Sequence, residues 1–336
     1  MNALHLLHEN RNLCIWTNQE NAMEYRNLGP TGLKVSVVGI GCNNFGMRCD
    51  EEKTGMVVNT ALDEGINFFD TADVYGPRGV SEEFLGRALK GKDRGQIIIA
   101  SKFASPMGDS ELMKGASRRH IMNAVEASLK RLGTDYIDLY QQHVPDADTH
   151  IEETLRALDD LIRQGKVRYV GNSNFSGWQI ANADWTAKDE GMNRFVTAQN
   201  LYSLLDRRLE REVIPACKEF GIGILPYFPL ASGMLTGKYS RGVEAPKGTR
   251  LSMMGDRAKA AMSDDVFDMV EKLTKFAEER DHTILELAMS WLATLPFISS
   301  VIAGATSAEQ VKQNAQAASW RLTDEEMKQV AEISQR

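Results

Sequence analysis

Six glycines set the rhythm of this chain. Gly65, Gly91, Gly133, Gly165, Gly191 and Gly221 each close a helical pattern (DEG, LKG, RLG, RQG, DEG, EFG), and most lead after a few residues into a short apolar run. A glycine just past a helix end can take the left-handed conformation that closes it. The spacings are 26, 42, 32, 26 and 30 residues, the length of one strand, one helix and their loops. A repeat of that length leaves few architectures open.

The helical patterns between these glycines are well formed. In THIEETLRALDDLIRQG, Thr149 and Glu152 match a capping box, and Ile151, Leu155, Leu158 and Ile162 share one face. SRRHIMNAVEASLKRLG repeats the design with Ile121, Val125, Leu129 and Leu132. The strands read as VVGIG, INFFD, IIIASK, YIDLYQQH, VRYVGNS, FVTAQN, IGILPY and SSVIAG, runs suited to parallel strands buried on both faces. Eight strands, each followed by a helical segment, run from about Val37 to Ala318 without a break in composition. The expected fold is α/β, a closed (β/α)8 TIM barrel, with an open doubly wound sheet as the alternative. Ahead of the first strand, MEYRNLGPTGLKVS predicts an N-terminal β-hairpin that would plug the barrel bottom. LTDEEMKQVAEIS predicts an extra C-terminal helix. Residues 23–336 are therefore expected to form a single domain. Residues 1–22 read as an unstructured extension, whose deletion should change neither activity nor melting temperature.

Composition narrows the class. A charged fraction of 25% and a hydrophobic fraction of 43% are ordinary for a globular chain of 336 residues. The net charge of -7, with Lys and Arg scattered, lacks the basic footprint of a nucleic-acid binder. The N-terminus has no basic start followed by a long apolar run, so it is not expected to act as a signal peptide. Leu287 to Ala308 carries no charge, but Pro296 would break a spanning helix. Cys14, Cys42, Cys49 and Cys217 form no CxxC, and no His pair has metal-ligand spacing. That points away from disulfides and zinc, and toward a reducing, cytoplasmic compartment.

Phe228 to Asp264 is far longer than the other connections. Its Lys238, Arg241, Lys247 and Arg250 suit either a solvated loop or a flap over an anionic ligand.

The strand ends carry the chemistry. Asp70 ends the second strand, with Tyr75 five residues on in INFFDTADVYG. Lys102 ends the third strand, His143 the fourth, Ser173 and Asn174 the fifth, Gln199 the sixth and Tyr227 the seventh. In a closed barrel all of these ends surround one mouth. Singly, each residue could be a solvated cap or a satisfied side chain. Together, an acid, a phenol, an ammonium and an imidazole form a proton-transfer set. A carboxylate would hold the lysine charged, and the ammonium would lower the phenol's pKa. Tyr75 would then act as general acid, with His143 donating to an oxygen becoming an alkoxide. No serine or cysteine nucleophile accompanies this set, whereas a hydride from a reduced nicotinamide would complete it. GIGCNNFG has Asn44 where the Rossmann fingerprint needs its third glycine, so the cofactor would be held another way.

FFDTADVYG, IIIASK, the strand ending at His143, VRYVGNSNF, TAQNLYS, PYFPLASGMLTGKY and VIAGATSAEQVKQN together resemble the aldo-keto reductases, over roughly residues 24 to 333. The resemblance implies a (β/α)8 barrel that reduces carbonyls with NADPH, less often NADH, and needs no metal. It implies a catalytic tetrad of Asp70, Tyr75, Lys102 and His143. By the same resemblance Ser173, Asn174 and Gln199 would hold the nicotinamide carboxamide, and Tyr227 would stack on the ring. Leu230, Ser232, Gly233 and Lys238 would line the pyrophosphate channel. Gly304 to Asn314, with Gly304, Thr306, Ser307, Gln310, Gln313 and Asn314, would take the adenosine end. Many NADPH-dependent members carry Lys or Arg around the 2′-phosphate, where this chain has Thr306, Ser307 and Gln310. Either a helix N-terminus and hydroxyls hold that phosphate, aided by Lys312 or Arg250, or the chain accepts NADH; NADP(H) is the expectation and NAD(H) the alternative. Ser307 and Gln310 also match a capping box, which would make them structural.

Two other functions compete with carbonyl reduction. Relatives such as potassium-channel β subunits bind nicotinamide nucleotides and regulate a partner, which would make this chain a redox-sensing subunit. A Schiff-base lyase would use Lys102 as nucleophile, but Asp70 beside it would keep that lysine protonated. Phe45, Met47, Arg78 and Trp178 are candidates to shape a pocket for a small-molecule carbonyl.

Overall fold

The computed structural model describes residues 23–253, 255 and 261–334. The extension expected over 1–22 lies outside the described residues. Strand β1 (Tyr25–Asn27) pairs antiparallel with β2 (Lys34–Ser36) in a two-stranded hairpin. Eight parallel strands follow: β3 (Val38–Gly41), β4 (Phe68–Asp70), β5 (Ile98–Phe103), β6 (Ile137–Gln142), β7 (Val167–Ser173), β8 (Thr197–Leu201), β9 (Gly223–Tyr227) and β10 (Val301–Gly304). Each pairs with its neighbours in chain order, and β10 returns to β3, closing the barrel. Closure removes the open sheet from consideration.

Around it lie α1 (Glu51–Asp63), the short turn α2 (Tyr75–Arg78), α3 (Val80–Leu89), α4 (Arg118–Leu132), α5 (Ile151–Arg163), α6 (Gly177–Asp189) and α7 (Val213–Phe220). They are followed by α8 (Asp264–Glu278), α9 (Ile284–Thr294), α10 (Ala308–Gln316) and the C-terminal α11 (Asp324–Ile333). The six glycines that set the repeat all have φ between 64° and 80°, a region where a Cβ is strained. Ile121, Val125, Leu129 and Leu132 of α4 are buried against the barrel, as their spacing predicts. The start of α5 differs from expectation. His150 occupies its N-cap without a side-chain bond, because the Thr149 hydroxyl donates instead to Asp146 (2.8 Å).

Successive strand residues face opposite sides of the wall, which sorts two cores. Outward-facing residues join the helices in the main core. Inward-facing Phe68, Ile98, Ala100, Leu139, Leu225 and Ile302 form a second cluster with Leu28 and Val35 of the hairpin. The hairpin is therefore the expected bottom plug. Fully burying Leu28 and Val35 contributes about 1.5–3 kcal/mol each. Gly29 permits this seat, since a Cβ there would lie 2.0 Å from the Val196 carbonyl oxygen. A cavity of about 440 Å³ flanks the hairpin on the outside of the bottom, and two others lie at the opposite end, where the strands stop.

Among the described residues, no helix is long and apolar enough to cross a membrane. No cluster of three His, Cys, Asp or Glu side chains there could hold a metal ion. The described cysteines, Cys42, Cys49 and Cys217, are free and buried.

Candidate active site

Inward-facing side chains of β4, β5, β6 and β8 meet across the barrel lumen. Lys102 is fully buried, and its ammonium donates to Asp70 Oδ2 (2.6 Å) and to the Thr71 carbonyl (2.9 Å). The other carboxylate oxygen of Asp70 accepts from Gln199 Nε2 (2.8 Å) and Gln141 Nε2 (3.0 Å). Three donors on one buried carboxylate satisfy it without water. Burial alone would lower the Lys102 pKa. Burial is the largest single effect, but the charges of Asp70 and Tyr75 and their hydrogen bonds together outweigh it and carry the pKa above the usual lysine value.

Tyr75 stands over this pair. Lys102 Nζ lies 3.5 Å from the Tyr75 hydroxyl and 4.9 Å from its ring centroid. Burial pushes the phenol pKa up, and Lys102 only partly offsets it. The expected net lowering is thus reversed, because desolvation of a phenolate in this pocket outweighs one ammonium. Tyr75 remains protonated at neutral pH. His143 meets Tyr75 edge to face, with ring centroids 5.5 Å apart. Burial, with the Lys102 charge, drives its pKa down to about 3, so the ring is neutral. Its Nδ1 is 3.2 Å from the Ser105 hydroxyl. A Ser105 that donates to Nδ1 leaves Nε2–H as a donor.

Tyr75 and His143 line a cavity of about 310 Å³ with Asp70, Ser173, Asn174, Gln199 and Tyr227. A second cavity of about 320 Å³ shares Phe228, Arg250 and Gly304 with the first, so the two form one groove. Its lining brings in Leu230, Ser232, Gly233, Lys238, Thr306, Gln310, Gln313 and Asn314. Among its described lining residues are three cations, Arg48, Lys238 and Arg250, and no carboxylate. A Cβ at Gly233 would lie 2.5 Å from Lys238 Nζ, so only glycine lets the ammonium lie against this turn. Among the described residues, six of the seven non-glycine positions with positive φ fall on loops at this end: Arg78, Ala104, Asn174, Phe228, Ala231 and Ser232. Strain of this kind gathers at functional sites.

The donor set fits a nicotinamide dinucleotide. The Ser173 O–H and Gln199 Oε1 remain for a carboxamide, and Lys238 with the arginines suits phosphates. Asn174 is engaged at both ends, donating to the His143 carbonyl (2.9 Å) and accepting from the Tyr227 hydroxyl (2.8 Å). It braces two neighbours rather than offering a free amide.

Several expectations need correction. Phe45 is buried in the core, and Met47, Arg78 and Trp178 are exposed; none of the four lines the cavity around Tyr75. Arg241 does not reach the groove, because Asp264, Asp268 and Glu271 hold its guanidinium. Ser307 caps α10 outside the groove lining, accepting from Gln310 N (3.3 Å). The Gln310 side chain bonds Thr306, accepting from its N–H (2.9 Å) and hydroxyl (3.1 Å), rather than completing a box with Ser307. Gln141, Ser105 and Arg48 were not anticipated. Gln141 had a signal: it is two residues beyond buried Leu139 in YIDLYQQH and so faces inward. Ser105 and Arg48 lie on irregular loops, where spacing carries no direction.

The aldo/keto reductase family model matches residues 37–335. The chain belongs to this family. It is 35% identical to an uncharacterized oxidoreductase, YrpG, of Bacillus subtilis, covering 93% of this chain and 96% of that protein. It is 39% identical to a probable voltage-gated potassium channel subunit beta of Arabidopsis thaliana, covering 88% and 91%. It is 33% identical to versiconal hemiacetal acetate reductase of Aspergillus parasiticus, covering 92% and 96%.

Proposed function

We propose that this chain reduces an aldehyde or ketone to an alcohol, with NADPH as cofactor and Tyr75 as the proton donor. A reduced nicotinamide supplies the hydride when bound. The observation that carries the reading is a hydrogen-bonded Asp70–Lys102 pair beneath a protonated Tyr75, in a cavity continuous with a cation-lined groove.

The roles follow from the geometry. A substrate carbonyl oxygen in the cavity takes its proton from the Tyr75 hydroxyl. The neutral His143 donates a hydrogen bond to the same oxygen and steadies the charge that develops there. The phenolate left on Tyr75 is stabilised by the Lys102 ammonium. Asp70 keeps that ammonium charged, and Gln141 and Gln199 keep Asp70 in place. Ser173 and Gln199 hold the carboxamide end, and Tyr227, fixed by Asn174, covers the ring. Lys238, beside Gly233, Ser232 and Leu230, takes the pyrophosphate. Gly304, Thr306, Gln310, Gln313 and Asn314 take the adenosine end. The groove's excess of cations supports NADP(H) over NAD(H), with Arg48 and Arg250 adding charge in place of the Lys or Arg missing around Thr306.

A second reading, a cofactor-binding regulatory subunit, is favoured by one observation: the relative at 39% identity is named as a channel subunit beta. One experiment separates them. Steady-state oxidation of NADPH and of NADH is followed with a reactive aromatic aldehyde, for wild type and Tyr75→Phe. The reductase reading expects turnover that falls by about 10²–10⁴ in the variant while NADPH binding persists. Tight cofactor binding without turnover on a panel of carbonyls supports the regulator. Equal efficiency with NADH and NADPH overturns the cofactor choice.

A further inference from the structure

Two residues before Tyr75, on the same loop, sits a second carboxylate that the proposed reaction does not use. Asp73 is fully buried, and neither of its carboxylate oxygens accepts a hydrogen bond of ordinary geometry, although the Val74 N–H is near enough to pull weakly on its charge. Its backbone N–H donates to the Lys102 carbonyl (3.1 Å), which ties the loop to the strand carrying the lysine.

Its surroundings come from four elements. From α3 comes Glu82, also fully buried, which accepts from the Ser101 hydroxyl of β5 (2.5 Å) and from Arg131 of α4 (2.7 Å). From β6 comes Tyr140, fully buried, whose hydroxyl is also without a partner and which feels the charge of both Asp73 and Glu82. From β5 comes Lys102, whose ammonium is committed to Asp70 on the lumen side. Arg131, the cation of this cluster, is committed to Glu82. Asp73 therefore faces one saturated carboxylate and one phenol, and has no cation of its own.

We propose that Asp73 is a positioning residue: an uncharged carboxylic acid that keeps the Tyr75 loop seated against the Lys102 strand. A buried carboxyl with no partner and a like charge nearby is stable in its neutral form. Burial first, and Glu82 next, push its pKa up to about 8, against weaker pulls from Arg131, the Val74 N–H and Lys102. Above that pH an uncompensated charge lies beside Glu82. Water must then reach it, and the segment that moves to admit water is the loop that holds Tyr75. No group of the Tyr75 site accounts for a transition there: His143 titrates near 3, and Tyr75 and Lys102 above their usual values near 10.

The test uses wild type and Asp73→Asn, which keeps shape and removes the titration. Hydrogen exchange of residues 71–78, corrected for the intrinsic rate, is measured from pH 6.5 to pH 9.5. Expected is a loss of protection in the wild type centred near pH 8 and none in the variant. A wild-type curve with no midpoint between pH 7 and pH 9, or a variant curve that follows it, overturns the proposal. The wild-type arm decides even if the variant fails to fold. A second arm rests on the reductase reading and measures kcat/KM against pH. The variant should equal wild type at pH 6.5 and exceed it by about tenfold at pH 9, one unit past the midpoint. Absence of turnover in both proteins at every pH would count against the reductase reading, while the exchange arm still decides on Asp73.

Discussion

The Asp70–Lys102 pair offers a sharp test of the barrel lumen, because its energetics do not depend on knowing the substrate. The perturbation is a cycle of Lys102→Met, Asp70→Asn and the double variant, compared by urea denaturation at pH 7. The charges are 2.6 Å apart, and Coulomb's law at an effective dielectric of 20 gives about 6 kcal/mol of attraction. Desolvation of both ions consumes part of that. What the single variants report is the cost of leaving one buried charge alone, about 3–5 kcal/mol. Lys102→Met leaves Asp70 with only Gln141 and Gln199. Asp70→Asn leaves the ammonium with the Thr71 carbonyl and Tyr75. The double variant removes both charges and should lose little more than either single, giving a coupling of about 3 kcal/mol or more. Each single should also lower the melting temperature by about 4–7 °C. Additive losses, with coupling under about 1 kcal/mol, would match an exposed pair and mean that water reaches the lysine. The pH dependence has a definite sign. The Lys102 pKa is raised on folding, so its stabilisation is complete below the usual lysine value of 10.5 and is lost only as pH climbs past it. The gap between wild type and Lys102→Met should stay constant from pH 7 to pH 10.

Two further outcomes follow from buried charge elsewhere. His143 has its pKa depressed to about 3 from 6.5, so its contribution is full above 6.5 and disappears as pH falls toward 3. Relative to His143→Asn, wild type should lose up to about 5 kcal/mol of stability between pH 7 and pH 3, read by denaturation at each pH. A difference that does not change with pH would mean that His143 is solvated. Arg131→Ala should cost about 3–5 kcal/mol in denaturant stability, because Glu82 is fully buried and loses its cation. Glu82→Gln should restore most of it, and failure to restore would mean that Arg131 acts by packing alone.

Much of this architecture is legible in the sequence because it repeats. Glycine spacing reports the β/α unit, and alternation within IIIASK and YIDLYQQH reports which side chains face the lumen. Asp70, Lys102 and Gln199 lie on strands, so their direction is set by the pleat and their meeting is a consequence of closure. The loops carry no such rule. Phe45 has the composition of a pocket residue, but it follows a 3-10 turn that rotates it into the core. Arg241 and Arg250 are indistinguishable as charges in one long loop. Only folding brings Asp264, Asp268 and Glu271 to the first, while the second lies over Phe228 with its guanidinium 4.1 Å from the ring centroid. Thr306, Ser307 and Gln310 show the same limit. Their spacing matches a capping box, but which hydroxyl the glutamine takes depends on where the loop turns.

The reversal at Tyr75 changes how the site should be understood. A phenol with a lowered pKa would be partly ionised near neutrality, and each ionised molecule would lack the proton it must give. Burial instead holds the proton on Tyr75 throughout the neutral range, so the donor is always loaded. The difficulty is then moved to the product of the transfer, a phenolate in a pocket that disfavours charge. Lys102 lies 3.5 Å from the oxygen where that charge appears. Its own charge is secured by Asp70, and Asp70 by amides from β6 and β8. The positive end of this chain of contacts is in place before any proton moves, so little reorganisation is needed when it does. On this view Lys102 acts on the state after transfer and Asp70 on Lys102. Weakening either should slow proton donation without ionising Tyr75 in the resting protein. Ultraviolet titration of the phenol in Asp70→Asn, with Tyr75→Phe subtracted, should therefore show Tyr75 still protonated at pH 8. A phenolate band at that pH would refute this assignment.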